Sequence, residues 1–242
     1  MRNVVTLSIG LSLLAISPVR AETQLSIYIG KSFTDDSDLR LRQPNNTRLT
    51  FHGVPWSDHS FEMPIYYGGR VTHFFKRQPD WGVALDFFHY KVYSDINAVL
   101  PVTGTRGGAP VSGSERLGDT IQKFNISHGV NYLTLNAVHR WRLRPDAPRY
   151  PNGRLQPYVG AGLGAVVPHV EATIGGRTIG KYQWRGPGFQ LFGGVSYGLS
   201  SRWSLFGEYK YTHTPLTVDI PNGDAHTTLD THHLVLGGSY RL

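Results

Sequence analysis

Apolar and polar residues alternate with a period of two, the mark of a half-buried strand, over eight stretches of the chain: residues 24–33, 61–76, 81–94, 128–143, 155–171, 182–199, 202–214 and 229–242. In the second stretch Met63, Ile65, Tyr67, Val71 and Phe75 share one face, and Glu62, Tyr66, Gly68, Arg70 and Thr72 share the other. In the seventh, Trp203, Leu205, Tyr209 and Tyr211 oppose Ser204, Glu208, Lys210 and Thr212. A soluble sandwich or a lipocalin-like barrel would alternate too, with its apolar face turned inward. The connections separate the cases. One end carries the short 77–80, the very short 200–201 and the medium 144–154, the other the long 34–60 and 95–127 and the medium 172–181 and 215–228. Short turns at one end and longer loops at the other are the plan of an outer-membrane barrel. Trp81, Trp141, Trp203 and Tyr240 fall at the short-turn end, where an aromatic girdle is expected. The pattern predicts an all-β fold, an eight-stranded antiparallel transmembrane β-barrel with short periplasmic turns and longer extracellular loops, spanning residues 22–242. Eight strands leave a lumen just wide enough for side chains, which argues against a general diffusion pore.

Composition agrees with this reading. There are 28 Gly, 13 Tyr and 11 Phe, and no Cys, as suits export to an oxidising compartment. Arg2, the apolar run from Val4 and "SPVRA" read as a signal peptide over residues 1–21, so a bacterial outer-membrane location follows. No later run reaches the ~20 apolar residues of a spanning helix. The formal charge of +7 falls by two without Arg2 and Arg20. Its excess sits in "RWRLRPDAPRYPNGR" and "FFKRQPD", with no nucleic-acid module. "YVGAGLG" lacks the spacing of a nucleotide loop, and its glycines are expected to make room for Tyr28 or Tyr66 in the lumen. The chain end, Gly237-x-x-Tyr240-x-Leu242, resembles the C-terminal assembly signal of outer-membrane barrels, with Leu in place of the usual Phe.

A strand tilted by about 40° climbs about 2.6 Å per residue. Counted from Trp81, Asp86 lies about 13 Å up and faces the lumen, whereas His89 and Lys91 lie about 21 and 26 Å up and face outward. That height is the rim of an apolar band ~25 Å tall, where a lysine costs only ~0–1 kcal/mol. His128, His169, His213, His232 and His233 fall at similar heights and His52, His59 and His226 in loops, so nine of eleven histidines gather at the extracellular end. Histidine moves protons or binds metals near neutral pH, and Glu171, Glu62 or Glu208 would orient it. The alternative is that these are structural residues of the interface. Glu62, Arg70, Asp86, Asn136, Arg140, Glu208 and Lys210 are expected to form a lumen charge network, because unpaired buried charges are costly; Arg70 or Arg140 would pair with Asp86. Ser127 adjoins His128 and Ser60 adjoins His59, but neighbours on a strand point to opposite faces, so nucleophilic catalysis is not indicated.

The stretches "LTFHGVPWSDHSFEMPIYYGGRVTHFF", "WGVALDFFHYKVYSD", "SHGVNYLTLNAVHRW", "PYVGAGLGAVVPHVE" and "WSLFGEYKYTH", in this order, resemble the outer-membrane lipid A oxidase family of rhizobial type, within the small OmpA/OmpW-like barrels. The resemblance runs over nearly the whole mature chain. It implies a monomeric enzyme that uses dioxygen to convert the proximal glucosamine of lipid A to 2-aminogluconate, releasing hydrogen peroxide. On this reading His89, His128, His169 and Glu171 are the catalytic candidates and Lys91 holds a lipid phosphate. Dioxygen chemistry on a sugar calls for a metal or organic cofactor. No flavin or nicotinamide motif is visible, so a divalent metal ion on the rim histidines would have to serve. The competing reading is a non-enzymatic barrel serving envelope integrity, adhesion or small-molecule passage.

Overall fold

The computed structural model describes residues 21–143, 149–150 and 152–242. The expected signal peptide, apart from Ala21, lies outside the described residues. Eight strands form the wall: β1 (Glu22–Thr34), β2 (Tyr67–Phe74), β3 (Trp81–His89), β4 (Val130–Arg140), β5 (Leu155–Ile174), β6 (Arg185–Gly198), β7 (Trp203–Ile220) and β8 (Gly223–Arg241). Each pairs antiparallel with the next, and β8 returns to β1, with Gln24 opposite Arg241 and Thr34 opposite Thr231. The ring closes, so the wall has no free edge to satisfy inside a bilayer.

Alternation sets what each side of the wall presents. Leu25, Ile27, Leu85, Leu135, Leu191 and Leu236 are exposed on the outer surface, an arrangement stable against lipid rather than water. At the short-turn end Trp203 meets Tyr240 at 4.9 Å between ring centroids, and Trp81 and Trp141 flank His139 at 4.6 Å each. This is the expected inner girdle. Small residues admit large ones inside. A Cβ on Gly68 would stand 2.3 Å from the Tyr28 ring, and one on Gly160 2.3 Å from Phe192. The "YVGAGLG" glycines do not serve Tyr28 or Tyr66: Gly160 makes room for Phe192 and Gly162 for Asn136, and Gly164 lies against the backbone of Leu133 and Thr134, while Gly68 serves Tyr28 and Gly30 serves Tyr66.

The long connections are not irregular. Residues Ser37–Gln43, Thr47–Val54 and Val99–Arg106 extend the sheet beside β8. Trp56–Ser57, Val92–Ser94, Ile121–Ile126 and Arg177–Tyr182 build a second sheet on the outer part of β5. Two-residue turns with positive φ join several of these hairpins, at Asn45–Asn46 (56° and 52°) and Gly175–Gly176 (57° and 74°), as right-handed strand twist prefers. Leu39, Leu41, Leu49 and Phe51 pack inward with Leu216, Val218 and Ala225, and this core caps the barrel.

Two expected strands end differently. The stretch 61–76 becomes strand only at Tyr67; Pro64 has no N–H to give a ladder, and Glu62, expected in the lumen, is 70 % exposed in the connection before it. The stretch 81–94 leaves the wall after His89 and resumes at Val92 in the second sheet. Tyr90 and Lys91 lie between, so the parity count fails beyond His89.

Candidate functional site

Halfway up the lumen Arg70 donates two hydrogen bonds to Glu208, at 2.6 and 2.8 Å, and one to Asp86 at 3.0 Å. Lys210 donates to Asp86 at 3.0 Å, the Tyr28 hydroxyl donates to Asp86 at 2.6 Å, and Gln190 links Asp86 (3.1 Å) to Asn136 (2.8 Å). Arg70 faces Asp86 directly across the β2–β3 pair. Arg140, the other expected partner of Asp86, instead meets Glu22 at 2.9 Å near the inner girdle. Between the two layers the lumen holds a cavity of only about 40 Å³, room for a water molecule. Above them Tyr66, Phe88, Tyr90, Tyr132 and His233 form a buried aromatic layer, with Phe88 and Tyr132 stacked at 4.9 Å. Every charge is paired and the lumen is filled. This network ties β1, β2, β3, β6 and β7 together across the lumen.

The chemistry gathers on the outer surface, where β4 and β5 leave the wall. Residues Ser127 and His128 lie in the turn before β4, and His169 and Glu171 project from the outer part of β5. Ligand atoms of His128, His169 and Glu171 all lie within 4.8 Å of one another. Ser127 Oγ donates to Glu171 Oε1 at 2.6 Å, while His128 Nδ1 lies 3.1 Å from Ser127 Oγ and 3.3 Å from Glu171 Oε1. Lys123 Nζ contacts the other carboxylate oxygen. The His128 and His169 rings stand edge to face at 4.6 Å, and Tyr182 closes on His169 at 4.7 Å. His169 Nδ1 is buried without a hydrogen-bond partner, 3.9 Å from Glu171. Pro157 bonds Trp141 of the girdle, and counting up β5 from it puts His169 about 31 Å higher, just above the apolar band.

Electrostatics prepare this group. Burial and the charge of His128 hold His169 below the usual imidazole range, partly opposed by Glu171. Burial pushes the Glu171 carboxyl up, but hydrogen bonds from Lys123 and Ser127 and the charges of Lys123 and His128 outweigh it and leave it below its ordinary value. Near neutral pH the group is therefore a neutral imidazole beside a carboxylate. Because Ser127 and His128 sit in a turn, the opposite-face argument made for a strand does not apply to them. They touch, yet one nitrogen of His128 faces both oxygens, and Ser127 bonds the carboxylate directly. A nucleophilic triad needs the imidazole between hydroxyl and acid, with one nitrogen to each.

Of the five rim residues singled out from sequence, three converge and two lie beneath cover. His89 is 3 % exposed, stacked on Tyr67 at 5.1 Å, with Nδ1 3.0 Å from Asn131 Oδ1. Asn131 in turn bonds the carbonyls of His128, Gly129 and Val167, so His89 supports the turn that carries His128. Lys91, expected among lipid phosphates, is 2 % exposed and donates to the Glu62 carbonyl at 3.0 Å; the connection before β2 folds over it. Glu62 orients His59 at 2.7 Å, and Glu208 touches no histidine among the described residues. Lys123 and Asn131 were missed. Lys123 lay in a stretch read as loop, and "IQKFNI" breaks the period of two at Gln122–Lys123, where the strand carries a register shift.

No protein-family model matches the chain, and no curated protein matches it. Comparison with solved structures finds small barrels. The outer membrane protein OprG from Pseudomonas aeruginosa is 13 % identical over 92 % of this chain and 94 % of its own, with a TM-score of 0.50. Neisserial surface protein A, NspA, is 14 % identical over 91 % and 96 %, at 0.43, and the outer membrane protease OmpT from Escherichia coli is 9 % identical over 96 % and 99 %, at 0.42. At these identities the likeness concerns fold alone, and OprG carries it: the chain has the fold of the small bacterial outer-membrane β-barrels.

Proposed function

We propose that this barrel modifies the headgroup of lipid A in the outer leaflet, as an oxidase that converts its proximal glucosamine to 2-aminogluconate. The observation that carries the reading is the convergence of His128, His169 and Glu171 on the lipid-facing surface at headgroup height. The reaction removes the C1 hydrogen and the hemiacetal hydroxyl proton, passes two electrons and two protons to dioxygen to give hydrogen peroxide, and leaves a lactone that water opens to the acid. The substrate must therefore carry a free C1 hydroxyl.

Transfer to dioxygen needs a redox group, and the residues fit a metal ion. Two imidazoles and one carboxylate are the donor set of non-haem iron oxygenases, and the buried, partnerless Nδ1 of His169 supplies a free lone pair. His128, His169 and Glu171 would hold the ion, which when bound would carry electrons from the sugar to dioxygen. Glu171 would offer the ion an oxygen that Lys123 or Ser127 now engages. Lys123, 43 % exposed, then faces a lipid phosphate, the role first expected of Lys91.

The test is the mass spectrum of lipid A from a host that supplies the C1-free acceptor. Expression of the chain should yield a species one oxygen heavier. Glu171→Gln and His169→Ala should reduce it about 10²-fold or more, with heat-modifiable gel migration unchanged. Unaltered lipid A in that host overturns the proposal. It would favour the non-enzymatic reading, with which the pairing of both Glu171 oxygens by Lys123 and Ser127 also agrees.

A further inference from the structure

A second polar site stands across the molecule from the histidine cluster. In the extracellular hairpin Ser37–Gln43 and Thr47–Val54, alternation buries Leu39, Leu41 and Leu49 and turns Arg40, Arg42 and Arg48 to solvent. Arg42 is the direct cross-strand partner of Arg48. Such partners carry their Cβ atoms about 4.5–5.5 Å apart on one face, and like charges there are destabilising. Arg40 follows on the same face, with His226 opposite it on β8. Among the described residues none of the three guanidinium groups lies within 4.0 Å of a carboxylate; even Asp224, opposite Arg42, makes no ion pair. These side chains line a groove of about 610 Å³.

The geometry points to a binding site for a multiply anionic saccharide, a sugar bearing phosphate or carboxylate groups. Placing two arginines directly opposite one another costs stability unless an anion bridges them, and guanidinium forks match phosphate and carboxylate oxygens in pairs. Thr50 and Thr217 add hydroxyls to the same groove, suited to sugar hydroxyls. Counted up β8 from Tyr240, the groove stands about 40 Å above the inner girdle, about 15 Å beyond the apolar band. At that height the saccharide core of outer-leaflet glycolipids surrounds the barrel, and this core is the ligand. The groove rises from β8, whereas the histidine cluster sits on β4 and β5, so it binds a neighbouring glycolipid and stands whether or not the rim site oxidises one.

The test is titration calorimetry of the folded protein in zwitterionic micelles. The probe is the lipid-free, phosphorylated core oligosaccharide of lipopolysaccharide, run beside the same sugar after dephosphorylation and beside a heparin hexasaccharide. Binding of the phosphorylated core should weaken with salt and fall at least tenfold for Arg42→Gln/Arg48→Gln. The unfolding midpoint of that variant should equal or exceed the parent's, since a like-charge pair is gone. Equal binding by the variant, equal binding of the dephosphorylated sugar, or binding of the heparin fragment alone overturns the inference.

Discussion

Asp86 accepts hydrogen bonds from Tyr28, Arg70, Lys210 and Gln190, and its removal leaves Arg70 and Lys210 to share the single carboxylate of Glu208. Removing one partner of a buried ion pair costs about 3–5 kcal/mol. Asp86→Ala should therefore lower the unfolding free energy, read from the urea titration of heat-modifiable migration, by that amount, while a lipid-facing Leu85→Ala has a much smaller effect. Half of this network was legible from the chain. Arg70 and Asp86 sit opposite each other across a short turn, so parity alone pairs them. Glu208 reaches them from β7 across the lumen, and no local pattern shows which distant strand faces which. The same limit explains Arg140, whose partner Glu22 lies far away in sequence. Lys91 failed for a different reason: its parity held meaning only while the strand continued, and the strand stops two residues before it.

The turn Ser127–Gly129 is the element on which the rim cluster depends. Gly129 has φ of 94°, and a Cβ there would lie 2.1 Å from His89 Nδ1. Gly129→Ala should push His89 and Asn131 apart and move His128. Lipid modification should then fall at least tenfold while the barrel still shows heat-modifiable migration; full activity would remove the turn from the site. Glu171 also ties this turn to β5, and its lowered pKa gives a pH dependence of known sign. A depressed carboxylate stabilises the fold above its unfolded pKa, about 4.3, and the contribution is lost as pH falls through the folded value. Exchange protection of the Gly129 amide, corrected for intrinsic rate, should hold near pH 6 and decline below about pH 4. Glu171→Gln should show no such decline; an identical profile in both proteins would contradict the assignment. The extracellular hairpins were legible in principle, since paired Asn45–Asn46 and Gly175–Gly176 are strong hairpin signals. They were passed over because the stretches around them were treated as loop.

At the scale of the molecule, alternation and the inequality of the two sets of connections were enough to predict a closed eight-stranded barrel, its inner girdle and its filled lumen. The capping sheets were not predicted, because their strands belong to connections whose length alone resembles loop. Charge and aromatic layers close the lumen, so planar bilayers carrying the purified protein should show no stable open channel; a steady ohmic conductance would contradict the packing described. What remains on the surface is a wall for lipid and, at its rim, two histidines and a carboxylate. The most direct measurement is incubation of purified, metal-supplied protein with lipid A bearing a free C1 hydroxyl, in air and under argon, with hydrogen peroxide and lipid mass followed together. The account predicts one hydrogen peroxide for each lipid that gains an oxygen, in air only and not with Glu171→Gln; lipid A left unchanged in air would contradict it.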